Sequence, residues 1–130
     1  MCGELVDGGG IYTLGPQPNS RVFRNYLHHQ CGMYGALYHD GNSGFFNTYE
    51  NVIAVSPKAL WLSINTCKPP PISVYDCYVD VASFHNETMM NCACGPVPNM
   101  SRCMATNITV VPDSGGWPAA AKDIMEAAGP

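Results

Sequence analysis

The stretch CYVDVASFHNETMMNCACGPVPNMSRC, from Cys77 to Cys103, decides how the rest of this sequence is interpreted. It holds four of the seven cysteines and two glycosylation acceptors, Asn86 and Asn99, and a third acceptor follows at Asn107. Each asparagine begins an N-x-S/T sequon without a central proline. Three sequons so close together exceed what average composition gives by chance. Cysteines that alternate with sequons indicate a disulfide-linked, glycosylated surface outside the cytosol.

Part of this stretch resembles the cysteine-rich signature of the COBRA family of plant cell-wall glycoproteins, in which a strand ending in S-F-[YH]-N-E-T runs into a C-P-T-C-x-C-G-C cluster. The matching residues are Ser83, Phe84, Asn86, Glu87, Thr88, Cys92, Cys94 and Gly95. Upstream, Leu60 to Cys67 is similar to the family's T-W-N-I-T-C strand. The chain departs from the family where a paired Cys-Cys is Cys77-Tyr78, where one cysteine and its Pro-Thr are missing, and where another cysteine is Pro96.

The resemblance covers residues 60–95 and implies a non-enzymatic extracellular glycoprotein. Proteins of the COBRA family are held at the outer face of the plasma membrane by a GPI anchor. They are thought to bind cellulose and to organise its microfibrils. The resemblance therefore implies a cell-wall polysaccharide as the partner, and membrane contact only through an anchor that this chain lacks.

The composition agrees with a small, turn-rich β domain and argues against nucleic acid as a partner. The 130 residues include 46% hydrophobic and only 12% charged residues, with 13 Gly and 11 Pro. Short strands and turns suit this composition better than helices do. The net charge of −4, without a cluster of Lys or Arg, offers no attraction for a phosphate backbone or an anionic membrane.

The seven cysteines predict disulfides rather than a metal site. Cys2 is the candidate free thiol, because the count is odd and a glycine run follows it. A zinc or copper site at Cys92, Cys94 and Cys103 with His85 is a weaker interpretation, since structural zinc sites prefer C-x₂₋₄-C pairs. We expect no metal and no cofactor. The disulfide candidates, whose pairing the sequence does not give, are Cys31, Cys67, Cys77, Cys92, Cys94 and Cys103.

The targeting signals of a secreted protein are not found in this chain. The first ten residues lack a basic start and an apolar run, and the tail AAAKDIMEAAGP is too polar for GPI attachment. No apolar window is long enough to span a bilayer. We therefore expect the chain to be a fragment of a longer secreted protein.

The predicted fold is an antiparallel β-sandwich-like domain with a short C-terminal helix. A Gly/Pro-rich segment (1–20), a cysteine-rich β domain (21–112) and a helical tail (113–130) are the expected parts. Within them, the pattern predicts the longest strand over Ile72 to Phe84, a turn or two of helix in Arg21 to Gln30 and a hairpin or loop at 40–44. Pro118 to Ala128 predicts the helix, with Gly129 ending it. No internal repeat is evident.

Two sets of side chains are candidates for function. His28-His29 and His39-Asp40 suggest acid-base chemistry, but no nucleophile elbow or phosphate-binding loop accompanies them, so we predict no catalytic residues. Exposed aromatic rings can stack on sugars. Trp61 and Tyr75 are the candidate glycan-stacking residues, although most aromatics of a small β domain fill its core.

The resulting hypothesis is an extracellular, polysaccharide-binding glycoprotein. Its alternatives are a cysteine-rich secreted or viral envelope-type glycoprotein that binds a protein receptor, and a small secreted hydrolase. Glycan occupancy is expected to fall in the order Asn86, Asn107, Asn99. The first two acceptors have the better threonine hydroxyl, whereas a disulfide closing near Asn99 would hide it.

Overall fold

The structure is a computed structural model that describes residues 8–30, 32, 34–55, 59–64, 72–81, 103–112 and 116–129. Within these residues it has eleven strands and one helix. The strands are β1 (Ile11–Pro16), β2 (Arg21–Phe23), β3 (Tyr26–His28), β4 (Leu37–Gly44), β5 (Asn47–Tyr49), β6 (Val52–Ala54), β7 (Leu62–Ile64), β8 (Ile72–Tyr75), β9 (Tyr78–Val79), β10 (Cys103–Thr106) and β11 (Thr109–Val110), and the helix is α1 (Ala119–Ala127).

The strands wind into a parallel β-helix. The first sheet has the order β1-β4-β7, the second β10-β8-β5-β2 and the third β11-β9-β6-β3. Successive strands of the chain therefore visit the sheets in turn and then return to the first. Arg21 pairs with Asn47 and Asn47 with Ser73, so the chain comes back to the same position every 26 residues. Between Ile72 and Cys103 the return takes 31 residues.

The predicted antiparallel sandwich is wrong, because every strand pair described is parallel. The prediction rested on short strands, frequent turns and alternating burial. Those signals report that one face of a strand is buried, and they are the same whichever way the neighbouring strand runs. What distinguishes a β-helix is repetition at a fixed period, and the prediction that the chain has no internal repeat is wrong as well.

A sharp turn recurs between the second and third sheets of every coil. Arg24, Glu50, Asp76 and Asn107 occupy it, all with left-handed backbone at φ of 50° to 52°. At Asp76 this turn divides the predicted long strand Ile72 to Phe84 into β8 and β9. Because a left-handed residue breaks the two-residue alternation, its two sides do not continue across the turn.

Two further local predictions are corrected by the same winding. The segment Arg21 to Gln30 is not helical, since it forms β2 and β3 on either side of the turn. Residues 40–44 are not a hairpin either, because they continue β4, whose neighbours β1 and β7 both run parallel to it. The Gly/Pro-rich segment 1–20 contributes β1 to the first sheet.

The interior of the coils is filled by one aliphatic side chain above another. Leu37 lies in register with Leu62, and Ile53 with Val79, and all four are buried. Each such side chain contributes about 1.5–3 kcal/mol relative to leaving it in water. The full set of buried residues in this core is Ala36, Leu37, Ile53, Val55, Ala59, Trp61, Leu62, Ile64, Ile72, Val74, Cys77 and Val79.

The C-terminal helix was predicted correctly, and it packs on the outside of the third sheet. Pro118 stands at its N-cap, and Gly129, at φ 83°, follows its C-cap. Ala121 and Ile124 of α1 pack with Val52, which faces outward from β6. The helix therefore covers an apolar outer face that would otherwise meet water.

Candidate glycan-binding surface

Three aromatic rings form a column on the outer face of the second sheet. Phe23, Tyr49 and Tyr75 are in register on β2, β5 and β8. The ring centroids of Phe23 and Tyr49 are 4.6 Å apart, and those of Tyr49 and Tyr75 are 5.1 Å apart with the two planes within 3° of parallel. These distances match the spacing of adjacent strands, about 4.7–4.9 Å. The coil therefore stacks the rings face to face.

The two ends of the aromatic column differ. At one end the guanidinium carbons of Arg21 and Arg24 lie 5.3 Å and 5.9 Å from the centroid of the Phe23 ring. At the other end the residue in register with Tyr75 is Thr106, which is exposed and carries no ring. The column thus ends at Tyr75, followed by a short polar side chain where a fourth ring would stand.

Charged and amide side chains from the left-handed turns run beside the aromatic column. Arg24 pairs with Glu50 at 3.4 Å, and the amide Nδ2 of Asn107 donates to Oδ1 of Asp76 at 2.5 Å. A cavity of about 410 Å³ lies between these turns and α1. Its lining residues are Arg24, Glu50, Asp76, Tyr78, Asn107, Thr109, Ala120, Asp123 and Ile124.

The hydroxyl of Tyr75 remains a hydrogen-bond donor at neutral pH. Burial raises the pKa of Tyr75, and the neighbouring Tyr49, Asp76, Glu50 and Cys77 raise it further. The neutral phenol therefore offers both a donor and an acceptor beside the ring.

A ladder of hydrogen bonds inside the turns holds the column in register. The side-chain Oδ1 of Asn51 accepts from the backbone N–H of Asn25 at 3.0 Å and from its Nδ2 at 2.9 Å. The Nδ2 of Asn51 donates to the backbone oxygens of Val22 and Tyr49. These bonds satisfy backbone groups that the turn removes from the strand ladder.

Cys77 takes the ladder position in the next coil. Its thiol accepts from the Nδ2 of Asn51 at 3.9 Å and donates to the backbone oxygen of Tyr75 at 3.3 Å. The side chain is fully buried and free, and burial raises the pKa of the thiol. Cys77 therefore belongs to the turn ladder, and the structure does not place it in a disulfide as the sequence had suggested.

The structure separates the two predicted glycan-stacking residues. Tyr75 lies at the end of the exposed column, whereas Trp61 is 1% exposed within the core. A sugar cannot reach the ring of Trp61 without unfolding the coil around it. The Trp61 signal was an aromatic residue in an alternating strand, and alternation alone did not say which side faced water.

The predicted glycosylation and disulfide residues are only partly described. Asn107 is exposed at the left-handed turn before β11. Cys103 begins β10, but its side chain lies outside the described part. The remaining predicted positions, Asn86, Asn99, Cys2, Cys31, Cys67, Cys92 and Cys94, lie outside the described residues.

The histidines singled out in the sequence do not form one site. His39 is completely buried between Thr13 and Thr48, whereas His28 and His29 are exposed, with their Nδ1 atoms 2.5 Å apart. Asp40 accepts a hydrogen bond from the hydroxyl of Tyr12 at 2.6 Å on the first sheet. Among the described residues, no group of three or more His, Cys, Asp and Glu could hold a metal ion.

The aromatic column was missed although the sequence carries a signal for it. Four segments around the left-handed turn align as VFRNYL (22–27), TYENVI (48–53), VYDCYV (74–79) and ATNITV (105–110). The second position is aromatic in the first three copies and Thr106 in the fourth. A search for self-similarity at this period would have found the coil, the column and its end.

Comparison with known proteins finds no match to a family model, a curated protein or a solved structure. The resemblance to the COBRA family therefore stays a prediction. None of the helices in the described part of the chain has the length and apolar character needed to cross a membrane.

Proposed function

We propose that this protein is a non-enzymatic extracellular glycoprotein that binds a cell-wall polysaccharide, cellulose in particular, as the resemblance to the COBRA family implies. The aromatic column that stops at Tyr75 is the observation that supports this function. A sugar ring of the glucan stacks on the face of Tyr75 that points away from Tyr49. It takes the place of the fourth ring, above Thr106.

The geometry of the column favours a flat, partly apolar ligand at that position. The internal ring faces of Tyr49 are covered by its neighbours at 4.6 Å and 5.1 Å, so only the end of the column can accept another ring. A pyranose presents a face of C–H groups that packs on an aromatic ring, and its hydroxyls project sideways. The Asp76 carboxylate and the Asn107 amide lie in the turn beside the column, where they can bind those hydroxyls.

Retention on microcrystalline cellulose tests the proposed function. We expect wild-type protein to be retained at high salt, because stacking is not screened as ion pairing is. Tyr75→Ala should reduce retention at least tenfold, since a lost stacking contact is worth about 1–1.5 kcal/mol or more. Phe23→Ala is the matched control, because it shortens the same column at its far end and leaves the outer face of Tyr75 in place.

Thr106→Tyr provides the opposite change. A fourth ring would complete the column and occupy the position proposed for the sugar. Retention should be lost while thermal stability rises, since an added aromatic pair contributes about 0.5–1.5 kcal/mol. Full retention by Tyr75→Ala or by Thr106→Tyr would contradict sugar stacking at this end.

The same material distinguishes the alternative functions. A receptor-binding glycoprotein would not be retained on cellulose at high salt in any variant. A hydrolase would release reducing ends from the glucan, and the exposed pair of Tyr12 and Asp40 is the group to test, by Asp40→Asn. Neither outcome is expected for a protein that only binds the polymer.

A further inference from the structure

A second cavity, of about 330 Å³, lies between α1 and the outer face of the third sheet. We call it the α1 pocket. Its lining residues are Tyr26, His28, His29, Ala54, Val55, Asp80, Trp117 and Met125. None of them belongs to the aromatic column or to the turns beside it, so this pocket is separate from the surface proposed to bind glycan.

The α1 pocket exists because one side chain in a column is small. His28 is in register with Ala54, and Asp80 continues the column because it follows Val79, the partner of Ile53. Two coil spacings separate His28 from Asp80, about 9–10 Å at the usual distance between strands. The methyl group of Ala54 leaves the space between them open.

The charge in the α1 pocket has no internal counter-ion. Asp80 is half-buried, and its Oδ1 accepts the backbone N–H of Val55 at 3.0 Å. Burial raises the pKa of Asp80, and that hydrogen bond opposes the rise. The ion pair found among the described residues joins Arg24 and Glu50, so no described Lys or Arg neutralises Asp80. A partly desolvated carboxylate favours a bound cation.

The other walls are aromatic and apolar. The rings of Tyr26 and His28 lie 4.7 Å apart at one side, and Trp117, only 5% exposed, lines the pocket from the residues before α1. Aromatic faces attract cations through their quadrupole. Ala54 and Met125 add apolar surface that suits alkyl groups rather than the many hydroxyls of a sugar.

We propose that the α1 pocket binds a small organic cation that carries apolar groups, such as a quaternary ammonium, with the carboxylate of Asp80 as its counter-charge. The cavity volume is at the lower end of the range for small-molecule sites, which limits the ligand to a compact one. The site does not depend on the proposed glycan-binding function.

Calorimetric titration of the wild-type chain with choline chloride tests this site. We expect saturable binding, and at least tenfold weaker binding of 3,3-dimethyl-1-butanol, which has the same shape without the charge. Asp80→Asn should weaken choline binding at least tenfold. Equal affinity for the neutral alcohol, an unchanged affinity in Asp80→Asn, or no choline binding would each overturn the proposal.

A filling substitution locates the ligand. Ala54→Leu should abolish choline binding, because the larger side chain occupies the gap between His28 and Asp80. Ala127→Leu, at the exposed end of α1, is the matched control and should bind choline normally. Retained binding in Ala54→Leu would overturn the assignment, as would competition between glucose and choline at the wild-type site. Should Ala54→Leu fail to fold by circular dichroism, Asp80→Asn still decides.

Discussion

The buried imidazole of His39 makes the stability of the first two coils dependent on pH. His39 is completely buried, with Nδ1 2.9 Å from the hydroxyl of Thr13 and Nε2 3.2 Å from the hydroxyl of Thr48. The ring of Phe46 packs edge-on against it at 5.0 Å. Burial lowers the pKa of His39 from 6.5 to about 4, because the low-polarity core disfavours the charged form.

The magnitude follows from the two pKa values. A histidine that accepts its proton at pH 6.5 when unfolded and at about pH 4 when folded favours the unfolded state as the pH falls between them. The stabilisation is complete above pH 6.5 and is lost progressively down to pH 4. At about 1.36 kcal/mol per pH unit, the full loss is about 3.4 kcal/mol, a large part of the stability of a small domain.

Urea unfolding at pH values from 7.5 down to about 4 measures this loss. His39→Gln removes the titration but keeps a side chain able to donate and accept hydrogen bonds, so its stability should fall less steeply. Carboxylates contribute equally to both proteins, and the difference between the two curves isolates His39. His28→Gln, which alters an exposed histidine, should follow the wild type. Parallel curves for wild type and His39→Gln would refute the buried-imidazole argument.

Four other changes test the coil and its turns. Asn51→Ala should cost about 2–4 kcal/mol in urea unfolding, because it leaves several buried backbone groups without partners, and a loss under 1 kcal/mol would contradict the ladder. Cys77→Asn should raise stability by about 1 kcal/mol, since an amide restores the bonds that the thiol makes weakly; a lower melting temperature would mean that the site is too small. Gly35→Ala should prevent stable folding, because its Cβ would lie 2.4 Å from the backbone carbon of Leu62, and a native circular dichroism spectrum would contradict that packing. Peptide mass spectrometry after expression in a secretory host should find a glycan on Asn107, and an unmodified Asn107 would contradict its exposure at the turn.

The sequence was sufficient for elements whose signals are local. Pro118, the alanine-rich body and Gly129 define α1 without help from the rest of the chain, because helix capping depends on neighbouring residues only. Strands near Ile11, Asn51 and Thr109 were also found, since each is a short apolar run between turn residues.

The fold itself depends on relations between distant residues, and those were concealed by substitution. The ladder position reads Asn25, Asn51, Cys77 and then Ile108, so no single residue type marks the coil. The left-handed position reads Arg24, Glu50, Asp76 and Asn107, which share a backbone conformation but not a side chain. Cysteines and sequons drew attention to chemistry that says nothing about strand direction. The site was half predicted: Tyr75 was named from its residue type, but the ring column around it required the coil register.

The 26-residue return of the coil also makes the molecule a ruler. Each duplicated coil would lengthen the surface by one strand spacing, about 4.8 Å, and would add one residue to every outer column. A gene that duplicates a coil with a tyrosine at the column position would extend the aromatic stack, and one with threonine there would end it. The reach of this surface along a polymer can therefore change by whole-coil insertion, without redesign of the coils already present.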